Sequence, residues 1–477
     1  VADGLKRVQA EFGSTGIGAV AHASSTVEEL HLLARVVRGL GSESIDHRTR
    51  HADFSNTAAA GKARWLGLPI AALSRLDAVL VVGSFLRKDH PLLAQRLRQA
   101  VRHGAQLMSL HAVHDDWAMP LAAKLTAAPS RWLSQLAEVA AAVAQAQGVP
   151  APLAAEPGGQ AEAVAEALMS GQHKAVLLGN AAAQHPQAAQ LLALAQWIGQ
   201  HTGAAVGYLG ETANGVGAQL VGALPGPGGL NAGQMLTQPM KALLLLNTEP
   251  MLDSADAAAT RKALAASGLV VALTPFKDAC ADVADVMLPI APYTETAGSF
   301  ISAEGRLQSF HGVVKPLGDT RPAWKVLRVL GNLLGLPGFD QETVDDVRQQ
   351  ALGDGSTLAD RLDNEISLAW ADAPTPAGLQ RVADVPIYAT DSMVRRAPSL
   401  QLTVDAREPV VGLPSALWQQ LGLQAGASVR LTQGEGSVVL PAREDRTLDA
   451  GAVRVAAGHA STGALGAMFG AISVEKV

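Results

Sequence analysis

Cysteine is nearly missing from this chain: 477 residues contain one, Cys280. A single thiol excludes an intrachain disulfide and cannot anchor an iron–sulfur cluster alone, and it accords with a reducing compartment. Charge is sparse as well. Asp, Glu, Lys and Arg make up 17% of the residues, the net charge is -6, and no Lys/Arg-rich block appears. That balance gives no electrostatic footprint for nucleic acid, and the chain reads as a non-binder of it. No run of about 18 apolar residues is free of charges and helix breakers, so no transmembrane helix is expected. The start, Val1 to Ala10, lacks the basic and apolar regions of a secretory signal. Asp3, Lys6 and Arg7 give it an amphipathic helical pattern, and without an initiator Met the opening is expected to lie partway through a longer polypeptide.

What the chain has in quantity is apolar surface to bury, 48% of its residues. At this length one core does not suffice, and about three domains of roughly 100–200 residues are expected. Ala78–Val82 is a Val-rich run ending at Gly83-Ser84, the pattern of a strand buried on both faces. Asp89 is placed to cap a helix with Pro91 just inside it, which presents Leu92, Leu93, Leu97 and Val101 before Gly104, and Gln106–Leu110 follows as a strand. The βαβ pattern recurs at Ala175–Tyr208 and Ala242–Leu273. Breaks rich in Pro or Gly fall at Val149–Gly159, Pro225–Gly233 and Ala371–Gly378. Beyond the last, short strands are expected at Leu400–Val404, Val410–Leu413, Ser428–Leu431, Ser437–Leu440 and Val453–Ala456, with a helix near Ser415–Leu421. The expected fold class is therefore α/β, parallel doubly wound layers followed by a small C-terminal β-barrel. The division drawn is a first α/β domain over 1–160, a second over 161–375 and a barrel-like domain over 376–477, with residues 1–60 able to pack on the second.

Several constellations could carry chemistry. His47 and His51 stand four apart between Asp46 and Asp53, a spacing that suits zinc, but Arg48 and Arg50 favour a polar loop held by Arg–carboxylate pairs. His111, His114, Asp115 and Asp116 follow a strand end, where α/β sheets place ligand loops, and water alone would satisfy them. Gly83-Ser84, Gly179-Asn180 and Gly215-Val216-Gly217 could approach a phosphate, yet Leu220 stands where a dinucleotide fingerprint needs its third Gly, and Gly61-Lys62 is no P-loop. Cys280 has only Lys277 as a nearby cation, opposed by Asp278 and Asp282, and reads as a buried small residue. Glu295, Glu304 and Arg306 read as a structural ion-pair set rather than an acid/base set.

The run Ala284–Gln308, with Leu288-Pro289 ending a strand and Glu304-Gly-Arg-Leu-Gln308 closing a loop, resembles a signature of the molybdopterin oxidoreductase family. The resemblance implies that active members usually need a thiolate, selenolate, hydroxyl or carboxylate ligand for molybdenum and carry an Arg followed shortly by the metal-binding Cys at the point where this chain reads Arg48 to Phe54, without Cys. Asp46–Phe54 instead resembles the complex I branch of the family, as do Leu66–Leu73, Asp77–Ser84, Arg87–Leu93, Val394–Gln401 and Ala464–Gly470. In that branch the scaffold forms the C-terminal part of the large peripheral-arm iron–sulfur subunit of NADH:quinone oxidoreductase. The resemblance implies a non-catalytic body that supports electron transfer from NADH to quinone. No catalytic, cofactor-binding or metal-ligating residue is assigned in this chain. The 2Fe-2S and 4Fe-4S clusters are expected in the N-terminal part of the parent polypeptide. The implied partners are the flavin/NADH-binding and iron–sulfur subunits of the peripheral arm, on the cytoplasmic side of a bacterial inner membrane or the matrix side of a mitochondrial one. The alternative is an active molybdenum or tungsten oxidoreductase such as a formate dehydrogenase subunit, with a noncysteine metal ligand.

Overall fold

The structure, a computed structural model, describes residues 1–370 and 378–477. In chain order its first ten strands are β1 (Ile17–Ala21), β2 (Ile45–Asp46), β3 (Ala78–Val82), β4 (Gln106–His111), β5 (Ala123–Thr126), β6 (Lys174–Leu178), β7 (Ala205–Tyr208), β8 (Ala242–Leu246), β9 (Val270–Thr274) and β10 (Val286–Pro289). They form two parallel five-stranded sheets, ordered β10-β9-β8-β1-β2 and β5-β4-β3-β6-β7. β1, β3 and β8 are apolar, β9 is apolar up to its final Thr274, and all four are buried along their whole length, as a parallel strand covered on both faces must be. Chain order reverses between β1 and β8 in one sheet and between β3 and β6 in the other, which leaves a crevice beyond the strand ends at each reversal.

The division drawn at residue 160 runs through a single sheet, because β3 to β5 precede it and β6 and β7 follow it. Val149–Gly159 joins the helices Trp132–Gln147 and Gly159–Ser170, whose Leu136, Val139, Val164 and Leu168 share one core with Val176 of β6. A Pro/Gly-rich crossing is a local signal, whereas sheet membership is decided by long-range pairing. The break at 371–378 and the division at 375 lie outside the described residues, save for Gly378.

Asp89 does not cap the helix that starts at Pro91. It ends a short helix, Leu86–Asp89, His90 takes the cap position, and the Asp89 carboxylate turns back to accept from the Phe85 amide at 3.1 Å. The hairpin β11 (Gly298–Ile301) and β12 (Leu307–Phe310) brings the Glu304–Gln308 loop against the body. Then come β13 (Gln380–Val382), β14 (Val411–Leu413), β15 (Ser428–Gln433), β16 (Gly436–Glu444), β17 (Ala452–Arg454), β18 (Gly470–Ala471) and β19 (Ser473–Lys476), a near-closed mixed sheet ordered β18-β13-β17-β14-β16-β15-β19. The strand expected at Leu400–Val404 is absent, and that segment is a short helix, Pro398–Gln401, followed by a turn at Val404–Ala406. Pro398 pre-sets the first helical position there.

Candidate functional site

The crevices of both sheets meet at two adjoining cavities of about 110 and 330 Å³. His22, one residue past β1, Asn180 past β6 and Glu211 past β7 line both, together with Arg50 from the loop after β2. The strand-end positions are those where open α/β sheets bind ligands. Beside these cavities, and joined to them through Arg50, the protein's own side chains form ion pairs. Arg395 pairs with Glu249 at 2.6 Å and with Asp253, Arg396 reaches Glu249 and Asp278, and Arg50 reaches Asp253 at 3.0 Å. Asp253 is fully buried; burial pushes its carboxyl up, but Arg395, His22 and Arg50 outweigh burial and hold it at about 2. Glu211 accepts from His51 at 2.6 Å and from Gln184, and it too is held at about 2 against the upward push of burial.

His47 and His51 part company. His47 Nδ1 meets the Ala223 carbonyl at 2.8 Å, and burial lowers this histidine to about 4. His51 turns to Glu211. Arg48 grips Asp46 through two bonds of 2.9 Å, so the segment is a polar loop built on an Arg–carboxylate pair. The second candidate set is likewise divided. His111 lies edge-on to Phe85 with centroids 4.5 Å apart and is lowered by burial to about 3, while His114 meets the Thr126 hydroxyl. Asp115 pairs with Arg454 at 2.7 Å and Asp116 with Arg87 at 3.2 Å. Among the described residues no three His, Cys, Asp or Glu gather as a metal-ligand group. Arg306 pairs with Glu304 at 3.3 Å, but Glu295 stands apart and accepts from the Leu317 amide. Cys280 is buried, donates to the Thr248 carbonyl at 3.3 Å and is pushed up to about 12 by burial and then by Glu249 and Asp253.

Two of the Gly-rich turns, Gly83-Ser84 and Gly179-Asn180, offer no phosphate cradle, while the third opens the helix Gly215–Leu220 at the edge of the smaller cavity. A Cβ at Gly83 would lie 2.6 Å from the Ala182 nitrogen and 2.8 Å from the Trp132 ring, and one at Gly179 would lie 2.3 Å from Ser84 Cβ. The two turns pack on one another, with no gap between them for an anion. The smaller cavity is well below the roughly 300–1,000 Å³ of ligand pockets. The larger is lined by Asp89, Glu211, Asp384 and Asp391 and by the cations Arg50 and Lys88, which are already paired with Asp253 and Asp405, so the lining is a poor match for a pyrophosphate. These residues do not fit a pterin dinucleotide.

Sequence reasoning misses Glu211, Glu249 and Asp253, the acids that organise the site. Their signal is positional: Glu211 follows the end of β7 and Glu249 the end of β8, both at the carboxyl edges of parallel strands.

The chain is 29% identical to the G-type subunit of NADH-quinone oxidoreductase from Mycobacterium bovis over 472 residues, covering 90% of this chain and 55% of that protein, in its C-terminal half. It thus spans about half the length of the curated relatives it matches. A shorter match, 35% identical over 100 residues, covers 20% of this chain and 10% of a putative formate dehydrogenase of Staphylococcus aureus. Among solved structures, acetylene hydratase from Pelobacter acetylenicus superposes over 98% of this chain and 83% of its own, with a TM-score of 0.69 and 16% identity, which shows a common fold. A family model described as molybdopterin oxidoreductase matches residues 1–333. With both parallel sheets inside that match, the chain belongs to the molybdopterin oxidoreductase family.

Proposed function

We propose that this chain is a non-catalytic structural body of the large peripheral-arm polypeptide of NADH:quinone oxidoreductase, supporting iron–sulfur electron transfer from NADH to quinone. The observation that carries the reading is the pairing of the cations at and beside the crevice: Arg50, which lines both cavities, is spent on Asp253, and Arg395 and Arg396 are spent on Asp253, Glu249 and Asp278. The similarity to the mycobacterial NADH-quinone oxidoreductase polypeptide along 90% of the chain supports the assignment to that complex. On this reading the iron–sulfur clusters belong to the N-terminal part of the parent polypeptide. The partners are the flavin/NADH-binding and iron–sulfur subunits. The body sits peripherally on the cytoplasmic or matrix side, and among the described residues no helix is long and apolar enough to cross a membrane.

The second reading, an active molybdenum or tungsten oxidoreductase, is favoured by the short formate dehydrogenase match. Elemental analysis of the purified protein separates the two. The structural reading expects molybdenum and tungsten far below one atom per chain, and a value near one would sink it.

A further inference from the structure

The helix Pro91–Arg102 turns a purely cationic face to solvent. Between His90 and Ala105 the chain has no Asp or Glu, while Arg96, Arg98 and Arg102 are all exposed. Arg98 and Arg102 stand four apart on one side of the helix, where like charges repel. The turn Ile70–Arg75 packs against this helix and ends in a further exposed arginine, Arg75. None of these guanidinium groups has an ion pair, a hydrogen bond or a ring contact among the described residues. The acids that border them in the chain are taken: Asp77 accepts from the amides of Gln172 and His173, Asp89 accepts from the Phe85 amide, and Asp116 pairs with Arg87.

At its start the same face becomes apolar. Leu92, one turn before Arg96, is 82% exposed. Four residues earlier Lys88 reaches Asp405 at 2.6 Å, which ties the segment around Val404–Ala406 to the start of the helix. In that segment Leu402 is 88% and Val404 65% exposed. Bare aliphatic side chains from two elements thus flank one ion pair, next to a row of arginines without counter-charges.

We propose that this face is a docking surface: within the assembly given above as the proposed function, on which this step rests, it seats an acidic patch of a partner polypeptide. The carboxylates of the partner meet Arg96, Arg98 and Arg102, and its apolar side chains cover Leu92, Leu402 and Val404. Charge complementarity is the reason. The chain as a whole has a net charge of -6, so an acidic surface is repelled by most of it and drawn to this side. The unpaired cations are arginines without exception, the basic residue that interfaces enrich, because its planar fork holds a carboxylate through two bonds and is weakly hydrated. Docking supplies the counter-charges that the chain itself does not, and the aliphatic end adds the apolar contact that an interface core needs.

The test is modification by phenylglyoxal, which attacks free guanidinium groups, read by mass spectrometry at Arg96, Arg98 and Arg102. The purified chain is compared with the native assembly, in membranes and after detergent extraction. The three sites should react readily in the purified chain and about tenfold more slowly in the assembly, in membranes and in detergent alike. An assembly that holds the chain but leaves the three arginines as reactive as in the purified chain overturns the docking face and leaves the proposed function standing. A chain recovered from its cells with no partner polypeptide overturns both. Protection that disappears in detergent assigns the face to lipid, protection that disappears with nuclease assigns it to nucleic acid, and either result rejects the proposal. The double variant Arg98→Glu with Arg102→Glu should unfold like wild type, since both side chains are exposed, yet enter the assembly severalfold less; Arg98→Lys with Arg102→Lys should keep most of it. Equal incorporation of the Glu variant and wild type rules out an acidic partner.

Discussion

At the scale of single residues, the buried charges around Asp253 are the most sensitive points in the molecule. Arg395 is almost wholly enclosed and ties the 387–396 segment to the acids after β8. Removing it as Arg395→Ala leaves Glu249 to Arg396 and Asp253 to Arg50, so the expected loss is about 3 kcal/mol, the low end for a broken buried pair. Denaturant unfolding measures it. The pH dependence has a definite sign: Asp253 is held at about 2 in the folded chain, below its ordinary 3.8, so its contribution is present above about pH 4 and is lost as pH falls toward 2. The difference between wild type and Arg395→Ala should shrink over the same interval. Cys280 is the opposite case. Its thiol is buried and pushed away from ionisation, so Cys280→Ala should leave electron transfer by the assembled complex unchanged, with a packing cost of about 1 kcal/mol. Loss of a cluster's paramagnetic signal in a normally assembled variant would contradict that.

At the scale of elements, the helix Val27–Gly39 begins with two buried acids that form no ion pair among the described residues. Thr26 and Glu29 form a reciprocal cap, and Glu28 accepts from the Ser299 amide of β11. Burial raises Glu29 to about 7, with Glu28 adding to the shift. A carboxyl raised on folding stabilises least once it must ionise, so stability from this cap declines as pH rises from about 4.5 to 7. Glu29→Gln keeps the cap geometry and should be more stable than wild type at pH 8 by on the order of 2 kcal/mol, with little difference at pH 4.5. Thermal unfolding at the two pH values decides it. Elements of this kind are partly legible in the amino-acid order. The Val- and Leu-rich runs announce β3, β6, β8 and β9 because burial on both faces writes itself into composition. Asp89 misleads because Asp-x-Pro reads as a cap locally, while the carboxylate's real partner, the Phe85 amide, lies upstream in a turn. The acids at Glu211, Glu249 and Asp253 are hidden for another reason: nothing in a linear pattern says that three strand ends from two sheets will meet.

At the scale of the whole molecule, Arg395 and Arg396 fasten the 387–396 segment to the α/β body, so on the proposed function damage there should act on assembly. Arg396→Ala is expected to lower the amount of assembled complex while NADH oxidation per assembled complex stays near normal. Full assembly with most turnover lost would overturn the structural reading. The interleaved sheets carry a consequence for biosynthesis. Ile17 must pair with Ala242, so β1 emerges from the ribosome long before β8 exists, with only the two-residue β2 at hand to pair with it. At roughly 5–20 residues per second the wait is on the order of ten to fifty seconds. Strands β3 to β7 are contiguous between Ala78 and Tyr208 and need no such delay. On stalled nascent chains, protease resistance should therefore arise first in that inner stretch. Until β8 arrives, the face of the amino-terminal strand that will meet it stays unpaired.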